Sequence, residues 1–216
     1  MYQPPHFREE RLEAQHRLIQ THPLGLLVTA GARGLIANPI PFFLAPSASE
    51  RGTLQAHLAR ANPQLEELVA ETECLIVFQG PQDYVTPSWY ETKRETGKVV
   101  PTWNYATVHA WGKPRLIESA AWLARHLDAL TRHKEGERSA PWDVADAPPS
   151  YIAAQMKGIV GLEIDIERLE GKVKVSQNRP EGDRRGVLAG FREQGEGSQG
   201  MAALVAEYGH VEEDKP

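Results

Sequence analysis

The chain has 216 residues, of which 41% are hydrophobic and 25% charged, and its formal net charge is -5. These fractions are typical of an ordinary globular protein, so they exclude collagen-like, coiled-coil and largely disordered chains. The negative charge opposes sequence-independent binding to nucleic acid, because such binding depends on many Lys and Arg contacts to phosphates. A single cysteine, Cys74, excludes an internal disulfide and a cysteine-based metal cluster.

The opening segment MYQPPHFREERLEAQ lacks the basic and apolar regions of a secretory signal. No apolar stretch of the sequence approaches the roughly 20 residues needed to span a bilayer. We therefore expect a cytoplasmic protein that does not enter a membrane.

In chain order, the residue pattern predicts an amphipathic helix at 8–20, followed by strands at 24–30, 35–44 and 52–58. Pro39 and Pro41 cannot donate to a strand ladder, so the second strand is expected at an edge or a bulge. Asn62 and Pro63 then predict a helix start, with the helix running to about residue 71.

A strand at 74–78 is predicted to end at Gly80-Pro81, and a long polar and aromatic loop follows at 82–98. The remaining predicted elements are an extended segment at 99–111, helices at 119–132 and 151–156, and a last strand at 159–166. Five or six short strands with few intervening helices favour an antiparallel barrel with helical additions. We expect a main domain at 1–180 and a helical, partly mobile extension at 181–216, in which residues 201–208 form the predicted helix.

The segment from His57 to Asn62 is a candidate phosphate site. His57, Arg60 and Asn62 lead into the predicted helix start, where free backbone N–H groups and the helix dipole favour an anion. The alternative is that Asn62 only caps the helix and Arg60 only faces solvent.

Aromatic residues are dense between positions 79 and 111. The set comprises Tyr84, Trp89, Tyr90, Trp103, Tyr105 and Trp111. Such side chains stack on flat ligands, and they also anchor subunit interfaces, so both uses stay open.

Histidines and basic residues give weaker signals. No histidine spacing matches a metal-binding motif, so no metal site is predicted. A local basic cluster offers either a solvated face or a weak DNA contact; it consists of Lys172, Lys174, Arg179, Arg184 and Arg185. Within it, Ser176, Gln177 and Asn178 are three consecutive hydrogen-bonding side chains before a proline, a pattern typical of a loop or ligand site.

Several blocks of the sequence resemble the PaiB family. They include HPLGLLVT, ANPIPF and GTLQAHLARANPQ in the first half of the chain. The most specific block is VFQGPQDYVTPSWYETKRETGKVVPTWNY, followed by VHAWG, and KVSQNRPEGDRRGV resembles the C-terminal motif of the family. Together these blocks span most of the chain.

The resemblance implies a split β-barrel with a six-stranded antiparallel sheet of the Greek-key type, and a homodimer that holds FMN in a groove between subunits. By position, the implied cofactor-binding residues are Ala37, Asn38, Pro39 and Ile40 beside the flavin ring, His57, Arg60 and Asn62 at the phosphate, Trp103, Asn104 and Tyr105 from the partner, and Gln177 and Asn178 in the C-terminal motif. Fold alone does not fix function.

Three functions remain open from the sequence. The resemblance implies a negative transcriptional regulator that responds to flavin or redox state. The alternatives are an FMN-dependent oxidoreductase acting on a small molecule and a haem-binding split-barrel protein. No catalytic constellation is visible in the sequence.

Overall fold

The computed structural model describes residues 1–69 and 72–211. The strands among them are β1 Arg8–Glu9, β2 Leu24–Gly31, β3 Gly34–Pro41, β4 Phe43–Ala45, β5 Thr53–Ala59, β6 Cys74–Val85, β7 Thr102–Gly112, β8 Pro114–Ile117, β9 Ile159–Asp165 and β10 Arg168–Lys174. The α-helices are α1 Leu12–Thr21, α2 Leu65–Leu68, α3 Glu91–Glu95, α4 Ala120–Glu135, α5 Pro149–Lys157, α6 Glu181–Glu193 and α7 Gln199–Gly209.

The chain forms two compact units. Unit 1 contains Met1–Arg11, Gln79–Val108 and the described residues from Glu170 onward. Unit 2 contains Leu12–Phe78 and His109–Leu169. Strands β6 and β7 contribute residues to both.

Unit 2 is built on antiparallel strands with a shared apolar interior. One of its sheets has the order β4-β5-β9-β8, and Leu54 of β5 lies opposite Ile164 of β9. The other has the order β6-β2-β3, in which Leu27 of β2 lies opposite Ile76 of β6. All four side chains are fully buried, so strand alternation places one face of each strand in the core.

The outer face of β2 and β3 is also apolar. Leu24 and Leu26 of β2 are 61% and 38% exposed, and Leu35 of β3 is 78% exposed. Leu26 lies opposite Pro39, so the two strands present a continuous apolar surface. A sheet with one face on the core normally carries polar residues on the other face, and an exposed apolar patch marks an interaction surface.

In unit 1 the strand order is β1-β10-β7-β6, and helices α3, α6 and α7 belong to the same unit. Val187 and Phe191 of α6 are fully buried, which fixes this helix in the interior. The ring of Phe191 makes an edge contact with Trp89, at a centroid distance of 5.1 Å. Trp89 lies in the 3-10 turn Pro87–Trp89, so α6 orders the segment that leads to Tyr90.

Gly186 permits this close approach of α6. A Cβ atom at Gly186 would lie 1.9 Å from the carbonyl oxygen of Trp89, a backbone atom that cannot rotate away. We expect Gly186→Ala to lower the free energy of unfolding by about 1 to 3 kcal/mol, because overpacking outweighs the roughly 1 kcal/mol gain in helix propensity. Urea denaturation measures this change. Gly197→Ala is the matched control, because no atom lies within 4 Å of a Cβ built there; equal stability of the two variants would contradict this packing.

The predicted fold class, antiparallel β with added helices, is confirmed. Several element predictions are wrong. The strand predicted at 35–44 is divided into β3 and β4, which belong to different sheets, and the loop predicted at 82–98 contains α3. The strand expected to end at Gly80-Pro81 continues to Val85, and β10 follows the strand expected to be the last. The sequence RLEGKVK of β10 lacks the alternation of apolar residues by which strands are predicted. Its lysines are accommodated by specific partners, which the sequence does not reveal.

The C-terminal region differs in detail from its prediction. Helix α6 covers Glu181–Glu193, where the sequence analysis predicts no separate helix, while α7 covers the predicted helix at 201–208. The predicted α2 is four residues long, and residue 71, its expected end, lies outside the described residues. Whether 181–216 is a separate, mobile domain stays a prediction.

Within the described part of the chain, no helix has the length and apolarity needed to cross a membrane.

Candidate functional site

A pocket of about 360 Å³ lies in unit 1, beside the start of β7 and the end of β10. It is lined by Phe7, Tyr90, Val100, Thr102, Asn104, Lys174, Ser176, Asn178, Arg179 and Pro180. Its volume lies within the range of small-molecule sites. The pocket combines two cations with hydroxyl and amide groups, a donor set that suits an anionic ligand.

Lys174 is the central cation of the pocket. Its half-buried ammonium group donates to Thr102 Oγ1 and, at 2.7 Å, to the carbonyl oxygen of Trp103. Burial lowers the pKa of Lys174, and the positive charges of Lys172 and Arg179 lower it further. The positive charge of this site is therefore undercompensated, and a bound anion would relieve it.

Ser176 holds an unusual backbone conformation. Its φ of 67° is in the left-handed region, which is uncommon for a residue other than glycine. The buried Ser176 hydroxyl exchanges hydrogen bonds with the Asn104 side chain, at 3.1 Å and 3.3 Å. Backbone strain that is held by surrounding bonds is frequent at ligand sites.

The side chain of Gln177 holds the backbone of the same loop in place. Its side chain accepts from the Val175 N–H at 2.8 Å and donates to the carbonyl oxygens of Val173 and His6. These bonds use the amide group for the backbone, so Gln177 positions the loop. Asn178 is exposed and lines the pocket.

Tyr90 contributes an unused polar group to the pocket lining. The residue is 0% exposed, and its hydroxyl makes no hydrogen bond of good geometry with residues 1–69 and 72–211, although the side chains of Arg179 and Ser176 lie near enough to lower its pKa. Burial raises the pKa of this hydroxyl, so it stays a neutral donor. Arg179 lies over the Tyr90 ring at 4.5 Å, and its guanidinium is 3.9 Å from the buried carboxylate of Asp183. A buried hydroxyl without a partner is costly, and a ligand oxygen would satisfy it.

Trp103 and Tyr105 lie on the other face of β7. Strand alternation directs their side chains away from those of Thr102 and Asn104. Trp103 is 49% exposed, and its ring lies 6.2 Å from the ring of Tyr84, which is 44% exposed. These exposed aromatics have the character of interface anchors.

In unit 2, the predicted residues of β3 are connected to the turn that follows β5. Asn38 Nδ2 donates to Gln64 Oε1 at 2.9 Å, and the fully buried Gln64 donates in turn to the carbonyl oxygen of Leu27. Ala37 and Pro39 are exposed, whereas Ile40 is buried in the core. Their exposed surfaces are apolar.

The predicted phosphate turn has few free donors. The Arg60 N–H donates to Gly158, the Asn62 N–H to Ala59, and the Gln64 N–H to the Asn62 side chain. The guanidinium of Arg60 pairs with Glu118 through two hydrogen bonds. Because α2 has only four residues, the helix-dipole argument for this turn is weak.

His57 belongs to a buried pair instead of an open site. Its Nδ1 lies 3.1 Å from His126 Nε2, and Trp122 stacks on the His126 ring at 5.0 Å. Burial lowers the pKa of His57, and burial together with His57 lowers that of His126 to about 4. Both histidines are therefore neutral at physiological pH. Among the described residues, no group of three His, Cys, Asp or Glu side chains is placed to hold a metal ion.

The predicted site residues thus form two clusters. Asn104 and Asn178 meet in unit 1, and Asn38 meets the 57–62 turn through Gln64 in unit 2. The sequence analysis singled out Tyr90 as an aromatic and Arg179 as a basic residue, but it could not place Tyr90 beside the 174–180 motif, because the two are distant in sequence. In the basic cluster, Lys172 is buried and donates to the Tyr2 carbonyl oxygen, and Arg185 pairs with Glu181.

Two solved structures that share this fold are described as an FAD and heme binding protein and as a flavocytochrome. The FAD and heme binding protein from Mycobacterium smegmatis matches with a TM-score of 0.58 and 17% identity, covering 77% of this chain and 73% of that protein. The flavocytochrome Anf3 from Azotobacter vinelandii matches with a TM-score of 0.53 and 14% identity, covering 78% and 69%. The chain therefore shares the split β-barrel fold of these two proteins.

Sequence relatives define the family more closely. The family described as "Putative FMN-binding domain" matches residues 1–168, and the chain belongs to it. The "Protease synthase and sporulation protein PAI 2" of Bacillus subtilis is 32% identical, covering 95% of this chain and 96% of the relative. An uncharacterised protein of Aspergillus fumigatus is 39% identical, covering 96% and 97%. The resemblance to the PaiB family and the predicted cofactor, FMN, are confirmed.

The unit 1 pocket fits the charged end of FMN. A phosphate monoester needs cations and hydrogen-bond donors, and the pocket offers Lys174, Arg179 and the buried Tyr90 hydroxyl. The 57–62 turn fits less well, since its donors are already used within the protein.

Proposed function

We propose that this protein is a flavin-responsive regulator that holds the phosphate end of FMN in the unit 1 pocket. The observation that carries the proposal is the buried Tyr90 hydroxyl, which makes no hydrogen bond of good geometry within the described part of the chain and lies beside two cations. Lys174 and Arg179 bind the phosphate, Ser176 and Asn104 shape the floor, and Gln177 holds the loop. Bound FMN supplies electron-transfer chemistry, while the protein contributes binding and orientation.

Titration of the purified full chain with FMN tests the proposal. We expect saturable binding, seen as a shifted flavin absorption spectrum and altered flavin fluorescence. A parallel titration with hemin separates the haem-binding alternative. Saturation by hemin alone, or by neither compound, would refute the proposal.

The regulatory part of the proposal rests on the sequence similarity to one bacterial relative. The Bacillus subtilis relative is named for protease synthesis and sporulation, and we propose a comparable regulatory role for this chain. The net charge of -5 and the burial of Lys172 disfavour tight direct binding to DNA. We therefore propose that any DNA contact is weak and salt-dependent, and that it uses Arg184 and Arg185, because Lys174 lies in the FMN pocket.

We also propose a homodimer. The exposed Tyr84 and Trp103 pair of unit 1 and the apolar outer face of β2 and β3 in unit 2 are surfaces that a second copy would cover. As the family resemblance implies, this segment would then reach the cofactor of the partner chain, through Trp103 and Tyr105 on the face of β7 opposite to Asn104.

We expect Trp103→Glu to weaken the dimer at least tenfold, because buried aromatic anchors dominate interface energies. Sedimentation equilibrium measures the dissociation constant. Trp142→Glu is the matched control, since Trp142 is similarly exposed at 46% but lies outside these surfaces. A wild-type protein that stays monomeric at micromolar concentration would contradict the dimer.

A further inference from the structure

Asp183 of α6 is a fully buried carboxylate in unit 1, and it is not among the residues that line the unit 1 pocket. The backbone N–H of Thr92 donates to its Oδ1 at 2.9 Å, and the Thr92 hydroxyl donates to its Oδ2 at 3.1 Å. Burial of a carboxylate is costly unless hydrogen bonds and a cation compensate it. The two bonds from Thr92 are neutral, so the charge of Asp183 acts on the cation that faces it.

Arg179 is that cation. Its Nη1 lies 3.9 Å from Asp183 Oδ2, which is an ion-pair distance but too long for a hydrogen bond. The guanidinium also lies over the Tyr90 ring, at 4.5 Å from the centroid. The backbone of Arg179 is fixed as well, because its N–H donates to the carbonyl oxygen of Ser176. The guanidinium is therefore held by charge and by a ring contact.

This arrangement leaves the hydrogen-bond donors of Arg179 available. A guanidinium has five N–H donors, and that of Arg179 makes no hydrogen bond of good geometry within the described part of the chain. Arg60 and Arg185 differ, because each donates two hydrogen bonds to a carboxylate. Arg179 lines the pocket and its side chain is 26% exposed, so a ligand can reach these donors. An oriented guanidinium with free donors suits the bidentate binding of a phosphate.

We propose that Asp183 is a positioning residue for FMN binding, whose charge holds the Arg179 guanidinium in place for the phosphate. The inference rests on the proposed function, because it assumes that the phosphate lies in the unit 1 pocket. Without the carboxylate, the long side chain of Arg179 becomes more mobile, and immobilising it adds to the cost of binding. Repulsion between Asp183 and the phosphate acts in the opposite direction, but it is the smaller effect, because Asp183 lies outside the pocket lining and this repulsion decreases with distance.

Titration of the full chain with FMN and with riboflavin tests the proposal. We expect Asp183→Asn to weaken FMN binding about three- to tenfold and to change riboflavin binding less than about twofold, because only FMN carries the phosphate. Asn keeps the shape of Asp and can still accept from the Thr92 N–H. Glu181→Gln is the matched control, since Glu181 is an exposed carboxylate of the same helix, and it should change neither affinity more than about twofold.

Two further measurements show whether Asp183 acts through Arg179. In the Arg179→Gln background, Asp183→Asn should change FMN affinity less than about twofold, because no guanidinium remains to be positioned. In the wild-type chain without FMN, 15N relaxation should show that the Nε–H of Arg179 is more rigid than that of the exposed Arg94. This second measurement does not depend on the folding of a variant.

The inference alone is overturned if Asp183→Asn binds FMN as tightly as the wild type, or more tightly, while Lys174→Met binds it weakly. It is also overturned if Asp183→Asn weakens FMN and riboflavin binding equally, if its effect persists in the Arg179→Gln background, or if Arg179 and Arg94 are equally mobile. A wild-type chain that does not bind FMN, or whose binding is weakened by neither Lys174→Met nor Asp183→Asn, would overturn the proposed function as well.

Discussion

Replacing Lys174 with Met is expected to weaken FMN binding about tenfold to a hundredfold. A hydrogen bond to a charged partner contributes roughly 1.5 to 3 kcal/mol, and Lys174 is the cation at the centre of the unit 1 pocket. Its pKa is lowered by burial and by Lys172 and Arg179, so removing the charge should not destabilise the fold. Calorimetry with FMN measures the affinity, and thermal unfolding checks the stability.

Two further variants make this comparison decisive. Lys98→Met removes an exposed charge from the same unit and should change FMN affinity less than about twofold, because exposed charges are screened. Arg60→Ala tests the phosphate turn predicted from the sequence. If Arg60→Ala weakens FMN binding tenfold or more while Lys174→Met does not, the phosphate lies at the turn.

The contribution of His126 to the stability of the protein should fall by about 3 kcal/mol as the pH decreases from 6.5 to 4. His126 has a pKa of about 4 in the folded protein and an ordinary value near 6.5 when unfolded. The unfolded chain therefore binds more protons in this window, and stability is complete above pH 6.5 and decreases towards pH 4. His57, whose pKa is also lowered by burial, acts in the same direction.

The groups packed on this histidine pair determine its response. Trp122 stacks on His126, and Glu163, which accepts from the Trp122 indole N–H, weakly favours the charged form of His126. Urea denaturation between pH 7 and pH 5 measures the slope above the range in which carboxylates titrate. His126→Gln should flatten it, whereas His133→Gln, at an exposed histidine, should not. A wild-type stability that is constant over this range would contradict the assignment.

Strand periodicity predicted most of the strands, because the alternation of buried and less buried residues along β5 and β9 follows the pattern of their sequence. It could not predict β10, whose Lys172 is buried through a cation–π contact with Tyr105 and a hydrogen bond to the Tyr2 carbonyl oxygen. These partners are distant in sequence. The folded chain alone reveals them.

The candidate site could be predicted only in part, again because residues that are distant in sequence meet in the fold. The 174–180 motif and Asn104 could be singled out from composition and resemblance. The role of Gln177 could not, since only the structure shows that its amide is used by the backbone of β10 and by His6. Nor could the sequence show that Tyr90 comes to Ser176 and Lys174 with an unused hydroxyl.

A crystal structure of the full chain with FMN tests the central claim most directly. We expect the phosphate of FMN within hydrogen-bonding distance of Lys174 Nζ and of the Tyr90 hydroxyl. A phosphate bound instead at the turn from His57 to Asn62, with the unit 1 pocket filled only by water, would contradict the account.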